Sequence, residues 1–372
     1  MGKTSKSTQV TDGHSGPVGV ATRPTLATIA RVAGVNKSTA SRALRGDAAI
    51  AAETRERIQQ LAAQLNYEPH AAARRLTSAR TDIIAFTTHS FARGRGAADP
   101  FLAELVSAVT IEAAASHMDV LLCLADPGPN ELNAYRRVVG GKHADGFLLM
   151  DLRPNDLRLP FLCERGYPHV LFGRPYLDLE RSREYPYPWV EIDNRKGARA
   201  AAEHLIALGH SRIALIGCGD EYICEIDRLA GYQDALASAN IPFDPSICTG
   251  HGQAQEDGFQ LARALLEQPN PPTAILAVSD IVAVGAMLAV RDLGRKPGQD
   301  VPVVGFDGLG LATFVTPALT TVSQPIPQVG KLLVRLLLAE LHAEPVAERH
   351  ILLDPELIIR ASTEQGARPF AS

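Results

Sequence analysis

The sequence is short of the features that mark several large protein classes. Its five cysteines, Cys123, Cys163, Cys218, Cys224 and Cys248, form no C-x-x-C pair and no ladder of regular spacings. That excludes a disulfide-stapled secreted scaffold and predicts a reducing cytoplasm. No apolar run opens the chain, so no export signal is read. The longest apolar stretch, TAILAVSDIVAVGAMLAV, is broken by Asp280, too short and too polar for a membrane span, and no membrane partner is expected. Aromatic residues make up only 5% of the chain, with one tryptophan. G-x-S-x-G, H-E-x-x-H and G-x-x-x-x-G-K-[ST] are all missing, and the two G-x-G-like stretches, IGCGDEY and GFDGLG, fall short of a dinucleotide fingerprint. The eleven histidines lack metal-ligand spacing, and His204 and His210 read as structural. No catalytic residue, metal or cofactor is therefore expected, and the chain does not read as an enzyme.

What is present is an uneven charge. The net charge is -4, yet residues 1–80 hold twelve Lys and Arg against five acids, leaving the rest of the chain at -11. A basic head on an acidic body predicts that the head alone meets a polyanion. A length of 372 suggests two or three domains. Residues 1–24 lack periodicity and read as a disordered tail, 25–68 as helical, and 69–80, with PHAAARRLTSAR, as a basic connector. Beyond 80, apolar runs at 82–88, 119–124, 145–150, 169–173, 212–217, 273–278 and 301–306 alternate with helical patterns at 100–117, 131–140, 195–208, 228–239, 255–267 and 281–293. This alternation predicts an α/β fold with parallel sheets in two lobes.

Within TLATIARVAGVNKSTASRAL (25–44), Leu26, Ile29, Ala30 and Ala33 form one helical stripe. Gly34 can end that helix and Asn36 can cap the next. Ala40, Ala43 and Leu44 then face inward, and Lys37, Ser38, Ser41 and Arg42 outward. A third helix near 52–65 would add Ile58, Leu61 and Leu65. The pattern is a helix-turn-helix. Its outer face is either a solvated surface or a DNA-reading one, and the basic charge of the head favours DNA.

These residues, continued by ETRERIQQLAAQLNYEPHAAARRL, resemble the headpiece of the LacI/GalR family of bacterial repressors. The resemblance implies that Lys37, Ser38 and Arg42 read the major groove of double-stranded operator DNA. It places Thr25, Leu26, Asn36, Thr39 and Ser41 near phosphates. It also makes 69–80 a hinge helix, with Arg74 and Arg75 on the backbone and Leu76 either a minor-groove wedge or a linker residue packed on the body. One departure is visible: the serine usual before the third helix is absent from Ile50-Ala51-Ala52-Glu53, which costs about 1 kcal/mol of capping. Glu53 offsets part of it through the helix dipole.

The body carries polar residues just after its apolar runs, where open parallel sheets bind ligands. These are Asp151 and Arg153, Gly173-Arg174, Ser279-Asp280 and Asp307, with Asp-Pro-Phe at 99–101. The segments WVEIDNRKGARAAAEHLIALGHSRIALIG, DRLAGYQDALASANI, VPVVGFDG and PALTTVSQP, in that order, resemble the same family's periplasmic-binding-protein-like core. That implies two lobes over 81–366, an N-lobe of 81–192 with 325–341 and a C-lobe of 193–324 with 342–366. It implies a homodimer and a small sugar effector, held by Arg228, Asp280 and Asp307 on one wall and by Phe101, Arg174 and Gln324 on the other or at the hinge. Asp193 and Asn194 read as hinge and capping residues. Trp189 is either a second sugar platform or a packing residue.

The expected function is a ligand-gated, sequence-specific transcriptional repressor responding to a disaccharide or oligosaccharide, nearest in pattern to α-glucoside-responsive members. The alternatives are a transporter-associated solute-binding protein and a regulator with a non-sugar ligand. Removing residues 1–80 is expected to abolish DNA binding and spare ligand binding. For the whole chain, log affinity for DNA should fall steeply with log salt, because phosphate contacts release counterions. A gel-shift series in rising salt checks this, and a truncated core that still shifts DNA overturns it.

Overall fold

The computed structural model describes residues 24–44, 46–65, 67, 80–88, 99–125, 128, 130–250, 252 and 254–364. The chain divides into two compact units, residues 1–79 and 80–372. The tail expected over 1–24 lies outside the described residues apart from Pro24, and so does the expected hinge with Arg74, Arg75 and Leu76.

The small unit is helical: α1 (Leu26–Val32), α2 (Lys37–Leu44) and α3 (Ala52–Gln64). Thr25 starts α1 through a reciprocal bond pair with Thr28: each hydroxyl accepts the other residue's backbone N–H. Gly34 adopts φ +67°, which turns the chain at the end of α1. The Asn36 side chain then accepts the Thr39 N–H at 2.7 Å and opens α2. Ile29, Ala30, Ala33, Ala40, Ala43, Ile58 and Ala62 form the core, and its small side chains let the helices cross closely. At the start of α3, Ala51 makes no side-chain cap bond and Glu53 stands in the first turn. Leu65, expected inside, ends α3 and stays exposed.

Among the described residues the large unit contains twelve strands: β1 (Ile83–Thr88), β2 (Asp119–Leu124), β3 (Gly146–Leu149), β4 (His169–Phe172), β5 (Trp189–Ile192), β6 (Ile213–Ile216), β7 (Cys248–Thr249), β8 (Ala274–Ala277), β9 (Val303–Asp307), β10 (Thr320–Ser323), β11 (His350–Leu353) and β12 (Glu356–Ile358). They form two six-stranded sheets, ordered β11-β5-β4-β3-β1-β2 and β12-β10-β9-β8-β6-β7. All pairings are parallel except β10 with β12. Helices cover both faces of each sheet, as continuous apolar strands require. On the first, α4 (Pro100–Ala115) covers one face and α5 (Leu132–Gly141) and α6 (Arg158–Cys163) the other; the short α7 (Leu179–Arg183) precedes β5. On the second, α8 (Asn194–Ala207) and α9 (Ile223–Ser238) face α10 (Gln255–Leu266) and α11 (Asp280–Asp292) across the sheet. The short α12 (Leu311–Phe314) follows β9, α13 (Ile326–His342) returns to pack beside α4, and α14 (Ala361–Glu364) closes the second lobe.

The chain crosses between lobes three times: from β5 into α8, from β10 into α13, and from β11 into β12. This corrects the expected boundary at 342. Residues 350–353 pair in parallel with Trp189–Ile192, so β11 belongs to the first lobe and the last crossing follows it. The strands that the sequence pattern did not reveal, β5, β7, β10, β11 and β12, are only two to four residues long. β3, β4, β6 and β8 are as short, but they sit inside longer apolar runs of the sequence, which the missed strands lack.

Helices α10 and α11 meet through two glycines. A Cβ on Gly258 would lie 2.1 Å from the Val282 carbonyl oxygen, and one on Gly285 would lie 2.0 Å from that of Gln255. Gly285→Ala is expected to destabilise the protein by about 1–3 kcal/mol through overpacking. Gly140→Ala, on a helix with no neighbouring atom within 4 Å, should be neutral or mildly stabilising. Thermal unfolding of the two variants checks the contrast.

Candidate functional site

On the small unit, α2 presents the residues expected to face DNA. Lys37, Ser38 and Arg42 are exposed, while Thr39 and Ser41 are half-buried beside the inward Ala40 and Ala43. Thr25, Leu26 and Asn36 stand at the starts of α1 and α2, where unpaired helix N–H groups collect. Arg42 is held by one edge: its Nε donates to Asp47 at 2.8 Å in an exposed ion pair.

In the large unit, a cleft lies between the two sheets, at the carboxyl ends of their strands. It encloses about 950 Å³ of empty space, part of it open to solvent. One wall comes from the first lobe. Asp99 caps α4 by accepting the Phe101 and Leu102 N–H groups, which fixes Phe101 at the rim. The Phe101 ring stacks on Phe172 at the end of β4, with centroids 6.1 Å apart and planes 16° from parallel. Asp151, after β3, also lines this side and accepts the Thr88 hydroxyl at 3.1 Å.

The opposite wall carries Arg228, from α9. Its Nε donates to Asn194 at 2.9 Å, its Nη1 to the Val278 carbonyl at 2.6 Å, and its guanidinium lies 3.8 Å above the Phe306 ring. Ser279 caps α11 from the cleft margin. Asp307 ends β9 with φ +122° and accepts a bond from the Gln324 amide at 2.8 Å; both line the cleft. Glu191 and Asn194 close it at the first crossing. Glu191 is 2% exposed; burial pushes its carboxyl up to about 7 against the opposing pull of Arg174. Burial likewise pushes the Cys224 thiol, on the same wall, up to about 12, so it stays a protonated thiol near neutral pH.

Four of the expected ligand residues, Phe101, Arg228, Asp307 and Gln324, are thus brought together around one cleft. Three are not. Asp280 is fully buried: it accepts the Leu309 N–H at 2.8 Å and the Thr321 hydroxyl at 2.5 Å, tying α11 to the β9 end. Burial raises its carboxyl to about 7, opposed by those same bonds. Arg174 turns away from the cleft to grip Asp227 with both Nη groups, one at 2.7 Å. Trp189 is 1% exposed, donates to the Ser182 carbonyl and stacks on His350, so it packs the lobe and offers no sugar platform. His204 and His210 bond to Thr363 and Thr273 hydroxyls, in keeping with a structural reading.

Sequence reasoning missed Phe172, Glu191, Tyr222 and Glu225 on the cleft, and read Asn194 as a hinge and capping residue rather than a cleft residue. Asp193 does cap α8, through the Lys196 N–H. The available signal for Asn194 was its position one residue past that cap, at a lobe crossing.

Known proteins place this arrangement. Residues 25–70 match the description "Bacterial regulatory proteins, lacI family", and residues 202–363 match "Periplasmic binding protein-like domain". The chain is 32% identical to the HTH-type transcriptional regulator CelR of Thermobifida fusca, over 91% of this chain and 98% of that one. A solved CelR–cellobiose complex superposes with a TM-score of 0.66 at 30% identity, covering 91% of this chain and all of that one. The lac repressor dimer bound to operator and the anti-inducer ONPF superposes at 0.78 with 26% identity, covering 91% and 98%. Among the described residues no helix is long and apolar enough to cross a membrane.

Arg228→Ala removes the donor that Asn194 and the Val278 carbonyl share with the cleft. It is expected to cost about 2–4 kcal/mol of ligand affinity while DNA binding persists. Calorimetry and gel shift on the same variant check this, and unchanged ligand affinity removes Arg228 from the site.

Proposed function

Because the chain belongs to the LacI family of bacterial regulatory proteins, we propose that it is a dimeric transcriptional repressor whose hold on operator DNA is set by a neutral disaccharide or oligosaccharide in the inter-lobe cleft. The observation that carries the ligand class is the pairing of an aromatic wall with forked polar groups. Phe101 and Phe172 offer a flat apolar face suited to a pyranose ring. Arg228, Asp307 and Gln324 offer donors and acceptors suited to vicinal hydroxyls. An anion is disfavoured: among the described residues, Asp99, Asp151, Glu191, Glu225 and Asp307 line the cleft against one arginine, Arg228.

On DNA, α2 is the reading helix, with Lys37, Ser38 and Arg42 directed to base edges and Thr25, Leu26, Asn36, Thr39 and Ser41 to the flanking backbone. The family resemblance assigns Arg74 and Arg75 to the DNA backbone and Leu76 to a minor-groove wedge or a linker role. Ligand held by both lobes changes their relation, and DNA affinity changes with it. Linkage requires DNA to alter ligand affinity by the same factor. This reading has no enzymatic step. A transporter-associated receptor would have no use for the α1–α3 unit.

Calorimetry of the full chain with cellobiose, maltose, trehalose, sucrose, raffinose and simple hexoses is the direct test. At least one neutral di- or oligosaccharide should bind and should shift the midpoint of a gel-shift titration on genomic DNA fragments. Tight binding of a nucleobase, amino acid or sugar phosphate, with no response to any neutral sugar, overturns the effector assignment.

A further inference from the structure

Glu191 joins two sets of contacts that meet at the first lobe crossing. Its Oε1 accepts the Asn194 side-chain amide at 2.9 Å and the Ile192 N–H at 3.1 Å. Asn194 Nδ2 also donates to the Ile192 carbonyl at 2.9 Å. With its amide nitrogen committed there, Asn194 has only its Oδ1 to offer the second lobe, and that oxygen accepts Arg228 Nε. The guanidinium is held by this bond, by Val278 and by the Phe306 face. Its three remaining N–H groups are those a ligand can use.

The other oxygen, Oε2, accepts the Arg174 backbone N–H at 2.8 Å and lies 3.8 Å from its Nη1. Arg174 is a first-lobe residue, and its guanidinium grips Asp227 on α9 in the second lobe while also donating to the Leu177 carbonyl. A backbone bond from the Ile223 N–H to the Leu152 carbonyl, 2.9 Å, crosses between the lobes beside it.

We propose that Glu191 is the positioning residue of the effector site: one oxygen sets the Asn194 amide and through it the plane of Arg228, and the other steadies the Arg174–Asp227 strap between the lobes. Ligand contact and lobe closure are then linked through one buried carboxylate. The inference rests on the reading of the cleft as the effector site.

Protonation distinguishes this role from simple packing. The groups that face the Glu191 oxygens at hydrogen-bond distance, the N–H groups of Arg174, Ile192 and Asn194, are all donors. A protonated Glu191 would turn an O–H toward a donor and break one of these bonds. The charged and titratable groups around it are Arg174 after β4, Cys224, Glu225, Asp227 and Arg228 on α9, Asp151 after β3, and Asp193, which acts on Arg174. Burial places the proton uptake near neutrality, so the arrangement is intact above about pH 7 and loosens below it.

The test compares the full-length wild type with Glu191→Gln and Glu191→Asp, using cellobiose as the calorimetric probe from pH 6 to 8. Wild-type affinity should rise with pH across this range. Glu191→Gln puts an NH2 against donors, so it should bind about tenfold or more weakly and lose the pH dependence. Glu191→Asp should recover part of both. Glu191→Gln with wild-type affinity, or with the wild-type pH slope, overturns the proposal. If the wild type binds no cellobiose, the probe has failed and not the positioning role, and hydrogen exchange on the ligand-free protein decides. Protection of peptides covering 172–176 and 223–230, corrected for intrinsic rates, should fall from pH 8 to 6 in the wild type and be low and flat in Glu191→Gln. Identical profiles in the two proteins overturn it.

Discussion

Three passages of the chain between the lobes constrain everything else in the large unit. Each leaves from the carboxyl end of a strand, β5, β10 or β11, and the ends of β5 and β10 contribute Glu191, Asn194 and Gln324 to the cleft. Parallel strands end with carbonyl groups and helix N-termini in one place, so the crossings gather polar groups where apolar packing stops. Asn194 and Gln324 follow two of these strand ends, Asp307 ends the neighbouring β9, and all are nearly buried. The cleft is thus a consequence of topology, and only its chemistry is left to individual side chains.

Burying so many polar groups has a cost, which hydrogen bonding offsets. Asp280 shows the logic. It spans from α11 to β9 and β10 through Leu309 and Thr321, and the Thr320 and Thr321 side chains sit fully buried on a strand whose sequence, TTVS, looks too polar for a core. Thr320 bonds to Thr363 and Arg360, so the same polar run ties the second sheet to α14. Removing one partner here leaves the other buried and unsatisfied, a larger penalty than the bond itself provides.

This explains what the sequence made legible. The helix-turn-helix was readable because Ile29, Ala30 and Ala33 repeat at helical spacing and Gly34 and Asn36 punctuate it in the expected places. The strands within continuous apolar runs were readable from those runs. β10 and β5 were not: one is a buried threonine run, and the other is a four-residue strand behind Tyr-Pro-Tyr-Pro. Within the cleft, Asp307 was found because charge after an apolar strand is conspicuous, whereas Arg228, inside α9, was reached only through the family resemblance. Asp280 and Arg174 have the same signature yet serve the frame, since residue type reveals a capacity for bonding and not the partner. Glu191 escaped notice because a single acid inside WVEI gives no sign that its neighbours in space are all donors.

The exposed pair between Arg42 and Asp47 adds little to stability by itself. Its weight lies in shape. Asp47 occupies Nε, which leaves the two Nη groups as the outward edge of the fork, the edge that can meet two acceptors of a guanine at once. The side chain has therefore surrendered much of its torsional freedom before any DNA arrives. On the proposed DNA reading, Asp47 then takes part in base choice through Arg42: loosening the pair would let the arginine sample more partners, and discrimination would blur while total attraction to the duplex hardly changed.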